Sequence, residues 1–138
     1  MFQNPGDDEI RRLLKQVRTI AMVGLSPRPE RDSYRVAKYL QDHGYRVVPV
    51  NPTADEVLGE KSYPSLGQVP GPVDVVNVFR RPEEVPPIVD QALAKGAPVL
   101  WLQLTVVNEE AAARAKDAGL TVVMDRCIKV EHSRLIGG

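Results

Sequence analysis

The residues best suited to chemistry lie in one stretch, Gly24-Leu25-Ser26-Pro27-Arg28-Pro29-Glu30-Arg31-Asp32-Ser33, directly after the apolar run TIAMV. A helical pattern follows, so the stretch is a loop that delivers a chain from a buried strand into a helix. A helix N-terminus carries unpaired N–H groups and a positive dipole, which suit a phosphate or pyrophosphate. Gly24 allows the backbone to turn closely, Ser26 and Ser33 offer hydroxyls, and Arg28 and Arg31 offer forked donors to anionic oxygens. The glycine-rich G-x-G-x-x-G fingerprint of dinucleotide sites is absent here. A nicotinamide site would also place an acid at the end of the second strand for the ribose hydroxyls. This chain has Asn51-Pro52 there, which favours a nucleotide held through its phosphates.

Other reactive side chains read as structural. His43 beside Gly44 and His132 near the tail are read as surface residues. Glu109 and Glu110 suit the N-terminus of their own helix. Cys127 follows Arg126, but a single small cysteine is more often packing than nucleophile. Trp101 reads as core and shares a sheet face with Gln103 two residues on. No His/Cys set has metal-ligand spacing, and no nucleophile stands with a base, so neither a metal site nor a catalytic residue is expected.

The elements that must hold these residues alternate between apolar runs and amphipathic patterns. Ile10, Leu13, Leu14 and Val17 recur at helical spacing from a start near Asp7-Asp8. Thr19–Leu25 is too continuously apolar for a half-exposed strand and reads as a buried parallel one. Ser33 is taken as the N-cap of a helix with Val36, Ala37 and Leu40 inward, stopped by Gly44. Arg46–Val50 is a second strand, with Pro49 near its end. Residues 53–72 are turn-rich, with one short excursion around Lys61–Tyr63. Val73–Phe79 is a third strand, followed by a helix that tolerates Pro86 and Pro87 only in its first turn. Pro98–Leu104 is a fourth strand, Asn108 caps a helix over Glu109–Ala118, and Leu120–Met124 is a fifth. This alternation predicts a Rossmann-like, doubly wound parallel sheet of about five strands with helices on both faces. The expected strand order is 3-2-1-4-5, which sets the ligand crevice between the first and fourth strands.

Length and composition narrow the class. The 138 residues suffice for one domain across 1–138, with a buried core and no staples. Lysine plus arginine and aspartate plus glutamate both total 18, and this zero net charge argues against a nucleic-acid partner. One cysteine excludes an internal disulfide framework and fits a cytoplasmic setting. The start, MFQNPGDDEIRR, has no apolar leader, and no run approaches a membrane span.

Five separated blocks, VGLSPRPERDSYRVA, VVPVNP, VDVVNVFRRPEE, VLWLQLTVVNEEAA and VVMDRCIKVEH, resemble the stand-alone CoA-binding domain family. That family is similar to the N-terminal domain of the succinyl-CoA synthetase α-subunit. The resemblance spans about Ile20 to His132 and implies coenzyme A or an acyl-CoA as ligand. It implies that Gly24, Ser26, Pro27 and Arg28 form the phosphate-side loop. Asn51 and Pro52 would flank the adenosine end, with Phe79, Arg80 and Pro82 on the neighbouring loop. Trp101 and Gln103 would lie along the pantetheine path. Thr105 stands where many relatives carry glycine. The synthetase's phosphorylated histidine belongs to a domain this chain lacks, and neither His43 nor His132 lies in a matching motif, so ligase activity is not inherited with the resemblance. Two alternatives remain: a ligase component acting with a separate catalytic partner, and an NAD(H)-binding redox sensor. A homo-oligomer or another protein partner is left open.

Overall fold

The computed structural model describes residues 2–137. Its centre is a five-stranded parallel sheet of β1 (Thr19–Val23), β2 (Arg46–Val50), β5 (Val75–Val78), β6 (Val99–Leu102) and β7 (Thr121–Val123). The five helices are α1 (Asp7–Gln16), α2 (Asp32–Asp42), α3 (Val85–Lys95), α4 (Glu109–Asp117) and α5 (Ile128–Leu135). A two-residue hairpin, β3 (Glu56–Val57) and β4 (Glu60–Lys61), fills the excursion between β2 and β5. The fold is the expected Rossmann-like one.

Both faces of the sheet are covered, which is why its strands read as continuous apolar runs rather than alternating ones. Ala21, Val23, Val76, Val78, Leu100 and Leu102 pack toward α3 and α4. Ile20, Met22, Val75 and Trp101 pack toward α1, α2 and α5, against Ile10, Leu14, Leu40 and Ile128. Asn108 caps α4 by accepting the Ala111 N–H at 3.0 Å. Gly96 ends α3 at φ +76° in the left-handed region that glycine favours.

The strand order corrects the sequence-based expectation. It is β2-β1-β5-β6-β7, so the third strand of the sheet lies beside the first rather than outside the second. Two local features explain this. After β2 the chain returns to lay a short segment parallel to that strand along its outer edge before it crosses to β5: Tyr63 N–H donates to Pro49 O at 3.1 Å and Asn51 N–H to Tyr63 O at 2.9 Å. That occupies the end of β2's outer edge, where Pro49 could donate nothing. On the other side of β1, the Asp74 carboxylate accepts the N–H groups of Arg18 and Thr19 at 2.8 and 2.9 Å. Asp74 thereby clamps the start of β5 next to β1. The topological switch, and with it the crevice, moves from the first and fourth strands to β1 and β5.

Two further expectations change. Ser33 is not the N-cap of α2; Arg31 holds that position, and Ser33 lies inside the first turn. The segment after β7 forms α5, whose sequence IKVEHSRL shows too weak an apolar stripe to announce a helix. As a result His132 is buried, not on the surface.

Candidate functional site

Gly24 ends β1 with φ +91°. A Cβ at this position would lie 2.2 Å from Phe79 O and 2.8 Å from Arg80 Cδ. The loops after β1 and β5 therefore touch backbone to backbone, a contact only glycine permits. Phe79 N–H donates to Val23 O at 2.8 Å, and Gly24 N–H to Val50 O at 2.9 Å, so the turn is held from both neighbouring strands.

Beyond Gly24 the loop is braced internally. Ser33 Oγ accepts the Ser26 N–H at 3.0 Å, and Ser26 Oγ accepts the Arg28 N–H at 3.1 Å. Asn51 Nδ2 donates to Leu25 O at 2.9 Å, while its Oδ1 accepts both the N–H and the hydroxyl of Thr53. The Asn51 side chain is thus committed to fixing the loop, and Pro52 beside it is exposed. The product is a cleft of about 490 Å³ lined by Gly24, Ser26, Arg31, Ser33 and Phe79 and by the acids Glu30 and Asp32. Helix α2 starts there without a side-chain cap, which leaves N–H donors for a ligand to satisfy.

The charges around the cleft are mixed. Arg31 lines it; Pro27 and Arg28, exposed like Arg31, do not, and Arg28 Nε lies 3.9 Å from Glu30. Asp32 pairs with Arg35 at 3.0 Å. Arg80 is drawn to Glu84 at 2.7 Å. The hydrogen bond from Arg80, with another from the Arg81 N–H, holds the Glu84 carboxyl below its usual range. Pro82 is half-buried, and its carbonyl accepts Asn108 Nδ2 at 3.0 Å, tying this turn to the start of α4.

Trp101 and Gln103 do not reach the cleft surface. Trp101 is fully buried and donates from Nε1 to Arg126 O at 2.9 Å. Gln103 is 3% exposed, and its Oε1 accepts from Asn77 Nδ2 and from the Ile128 N–H, both at 3.0 Å. These contacts hold β5, β6 and the start of α5 together beneath the crevice. Asn77 is the residue that sequence reasoning missed: a polar side chain in an otherwise apolar strand, completely buried, with Oδ1 unpartnered. Its position inside VDVVNVF was the available signal, because a buried amide requires partners.

Thr105, at the same edge, adopts φ +74°, the conformation a glycine would take without strain. Its N–H donates to Asp125 Oδ1 at 2.7 Å, and Asp125 is itself left-handed at φ +61°. Cys127 is half-buried at the N-cap of α5. No group of three or more metal-capable side chains occurs among the described residues, and none of their helices is long and apolar enough to cross a membrane.

Comparison with known proteins gives a consistent result. A family model described as a CoA binding domain matches residues 18–133. The uncharacterized protein YneT of Bacillus subtilis is 51% identical over 132 residues, covering 96% of this chain and 98% of that protein. A solved structure of a hypothetical protein from Pyrococcus horikoshii superposes with a TM-score of 0.94 at 45% identity, covering 99% of both chains. The α-subunit of the ADP-forming acetate–CoA ligase II of Pyrococcus furiosus is 42% identical over 59 residues. That match takes in 42% of this chain and only 13% of the ligase subunit.

Proposed function

We propose that this chain, which belongs to the CoA-binding domain family, binds coenzyme A or an acyl-CoA in the cleft at the carboxyl edge of β1 and β5. One observation carries the reading: the uncapped start of α2 faces a cleft whose opposite wall is the glycine-only contact between Gly24 and Phe79. The ligand's phosphates would take the free N–H groups of α2 and the guanidinium of Arg31. Ser26 and Ser33 act mainly by shaping the loop, since their hydroxyl oxygens already accept backbone N–H groups within it. Asn51 supports a phosphate-directed site over a nicotinamide one, because its side chain offers no carboxylate and is engaged by Leu25 and Thr53.

The family's relation to the acetate–CoA ligase α-subunit also supports a second reading, a binding component that works with a separate catalytic chain. The two readings agree on the cleft and differ only in what happens afterwards. Thermal-shift titrations with CoA, acetyl-CoA, NADH and ATP test the first. A ligand at a hundred times its Kd stabilises the native state by about 2.7 kcal/mol. CoA or acetyl-CoA should raise Tm at concentrations where NADH does not. A shift with NADH and none with CoA would overturn the proposal.

A further inference from the structure

A second pocket lies at the opposite edge of the sheet, and the function proposed above does not use it. It measures about 240 Å³ and is lined by Lys15, Arg18, His43, Tyr45 and His132 over an apolar floor that includes Leu14. Arg18 immediately precedes β1, Tyr45 precedes β2, and His43 is the C-cap of α2. Since Gly24 stands at the far end of β1, about 20 Å of strand separates the two sites.

Helix C-termini normally present free carbonyls and repel anions. Here several of those carbonyls are already engaged. Tyr45 donates its hydroxyl to Leu14 O, and His43 donates from Nδ1 to Tyr39 O at 2.7 Å. Leu40 O takes the N–H groups of His43 and Tyr45, and Gln41 O takes that of Gly44. His132 is 4% exposed, and its Nδ1 is bonded to the Tyr39 hydroxyl at 2.8 Å. Each imidazole is therefore anchored through Nδ1; the neutral His43 ring, with its proton there, presents a lone pair at Nε2, whereas His132 presents an Nε2–H donor when the Tyr39 hydroxyl donates to its Nδ1.

The charged groups that remain are cationic. Lys15 and Arg18 are exposed, and neither side chain forms an ion pair among the described residues. Burial, then the neighbouring Tyr39, pushes the Tyr45 hydroxyl above its ordinary value, and the Arg18 charge opposes them. Nearby acids are committed elsewhere. Asp74 accepts two backbone N–H groups, Asp42 pairs with Lys38, and Glu131 pairs with Arg126 and Arg134. Lys129 lies over the Tyr39 ring, adding positive charge behind the cluster. We infer that this pocket is a second ligand site, one that takes a phosphate group, free or carried by a small metabolite, between Lys15, Arg18 and the two imidazoles.

The two histidines are the only ones in the chain, so their C2–H proton resonances report the pocket directly. Inorganic phosphate and glycerol 3-phosphate are titrated against chloride of equal ionic strength, with saturating CoA present in a parallel series. The expected result is a saturable shift of both resonances with at least one phosphate probe, unaffected by CoA. In the Lys15→Ala/Arg18→Ala double variant the apparent affinity should fall about tenfold or more, as two charge-assisted contacts are lost. Both residues are exposed, and an unchanged circular dichroism spectrum confirms the variant's fold. Shifts that never saturate, that chloride reproduces, or that persist at full affinity in the double variant would each overturn the inference. The tighter of the two probes identifies whether the phosphate is free or carried.

Discussion

Gly24→Ala tests the central contact of the cleft, and Gly44→Ala supplies its control. Both glycines have φ +91°. A Cβ at Gly44 meets nothing within 4 Å, whereas at Gly24 it would sit 2.2 Å from Phe79 O and 3.0 Å from Phe79 C. Left-handed backbone costs a non-glycine residue about 1–2 kcal/mol, and the reduced entropy of the unfolded chain returns about 0.4–1 kcal/mol of that. Gly44→Ala should therefore destabilise by about 1 kcal/mol. Gly24→Ala carries the same strain plus an overpacking cost of about 1–3 kcal/mol. The neighbour is a backbone carbonyl whose strand is locked by Phe79 N–H to Val23 O, so it cannot swing aside as a side-chain end would. The variant should lose about 3 kcal/mol in total. With a urea m-value of about 2 kcal/mol/M, its midpoint should fall roughly 1 M below that of Gly44→Ala. CoA affinity should drop in Gly24→Ala, because the loops after β1 and β5 must part, and stay unchanged in Gly44→Ala. Coincident urea midpoints would refute the steric argument, since they would leave backbone strain as the whole effect.

Arg31→Ala should weaken CoA binding by about tenfold, and Arg28→Ala by less, because Arg31 lines the cleft while Arg28 stands outside its lining, next to Glu30; calorimetric titration of both variants ranks them, and the reverse order would move the phosphates outward along the loop. Thr105→Gly should raise stability by about 1 kcal/mol, as relief of left-handed strain exceeds the added entropy of glycine; an unchanged or lower urea midpoint would show that the threonine side chain makes compensating contacts. Burial, followed by repulsion from His43, holds the His132 imidazole below its ordinary value near 6.5. A depressed histidine contributes stability that is present above its unfolded-state value and lost as pH falls through the folded one. Urea midpoints in phosphate-free buffer should therefore fall between pH 7.5 and 5.5, and His132→Gln should flatten that slope.

The fold was legible because its strands are buried on both faces and its helix stops are chemically marked. TIAMV and VLWL leave no polar side to face water. Asn108 and Gly96 terminate elements by mechanisms visible in a sequence. The fifth helix was illegible for the opposite reason. Its stability comes from tertiary partners: Ile128 against the sheet, the His132–Tyr39 hydrogen bond, and the Ile128 N–H held by Gln103. Tertiary packing, not propensity, decides short helices of this kind. The burial of His132 followed from that helix, so its misassignment to the surface had the same cause.

Strand order failed for a reason that bears on the site. Alternating strand and helix patterns fix that the sheet is parallel, but not on which side of β1 the third strand inserts. That choice was made by non-local bonds, Asp74 to Arg18 and Thr19 on one side and Tyr63 to Pro49 on the other. The same choice brought Phe79 against Gly24. Had β5 paired outside β2, Gly24 would have faced the end of another strand, and its φ of +91° would have been the one reason left for a glycine there. The steric part of the requirement for glycine and the β1–β5 pairing are thus one fact seen twice. An Asp74→Ala variant should expose the link: two N–H groups at the start of β1 lose their acceptor, at a cost of about 1–3 kcal/mol each where they are buried. Arg18 is exposed and Thr19 only partly buried, so the expected loss is near the lower end, about 2 kcal/mol altogether. If the clamp sets register, amide exchange in Asp74→Ala should speed up along β5 as far as Phe79 N–H. Faster exchange confined to Arg18 and Thr19 would show that the pairing stands without it.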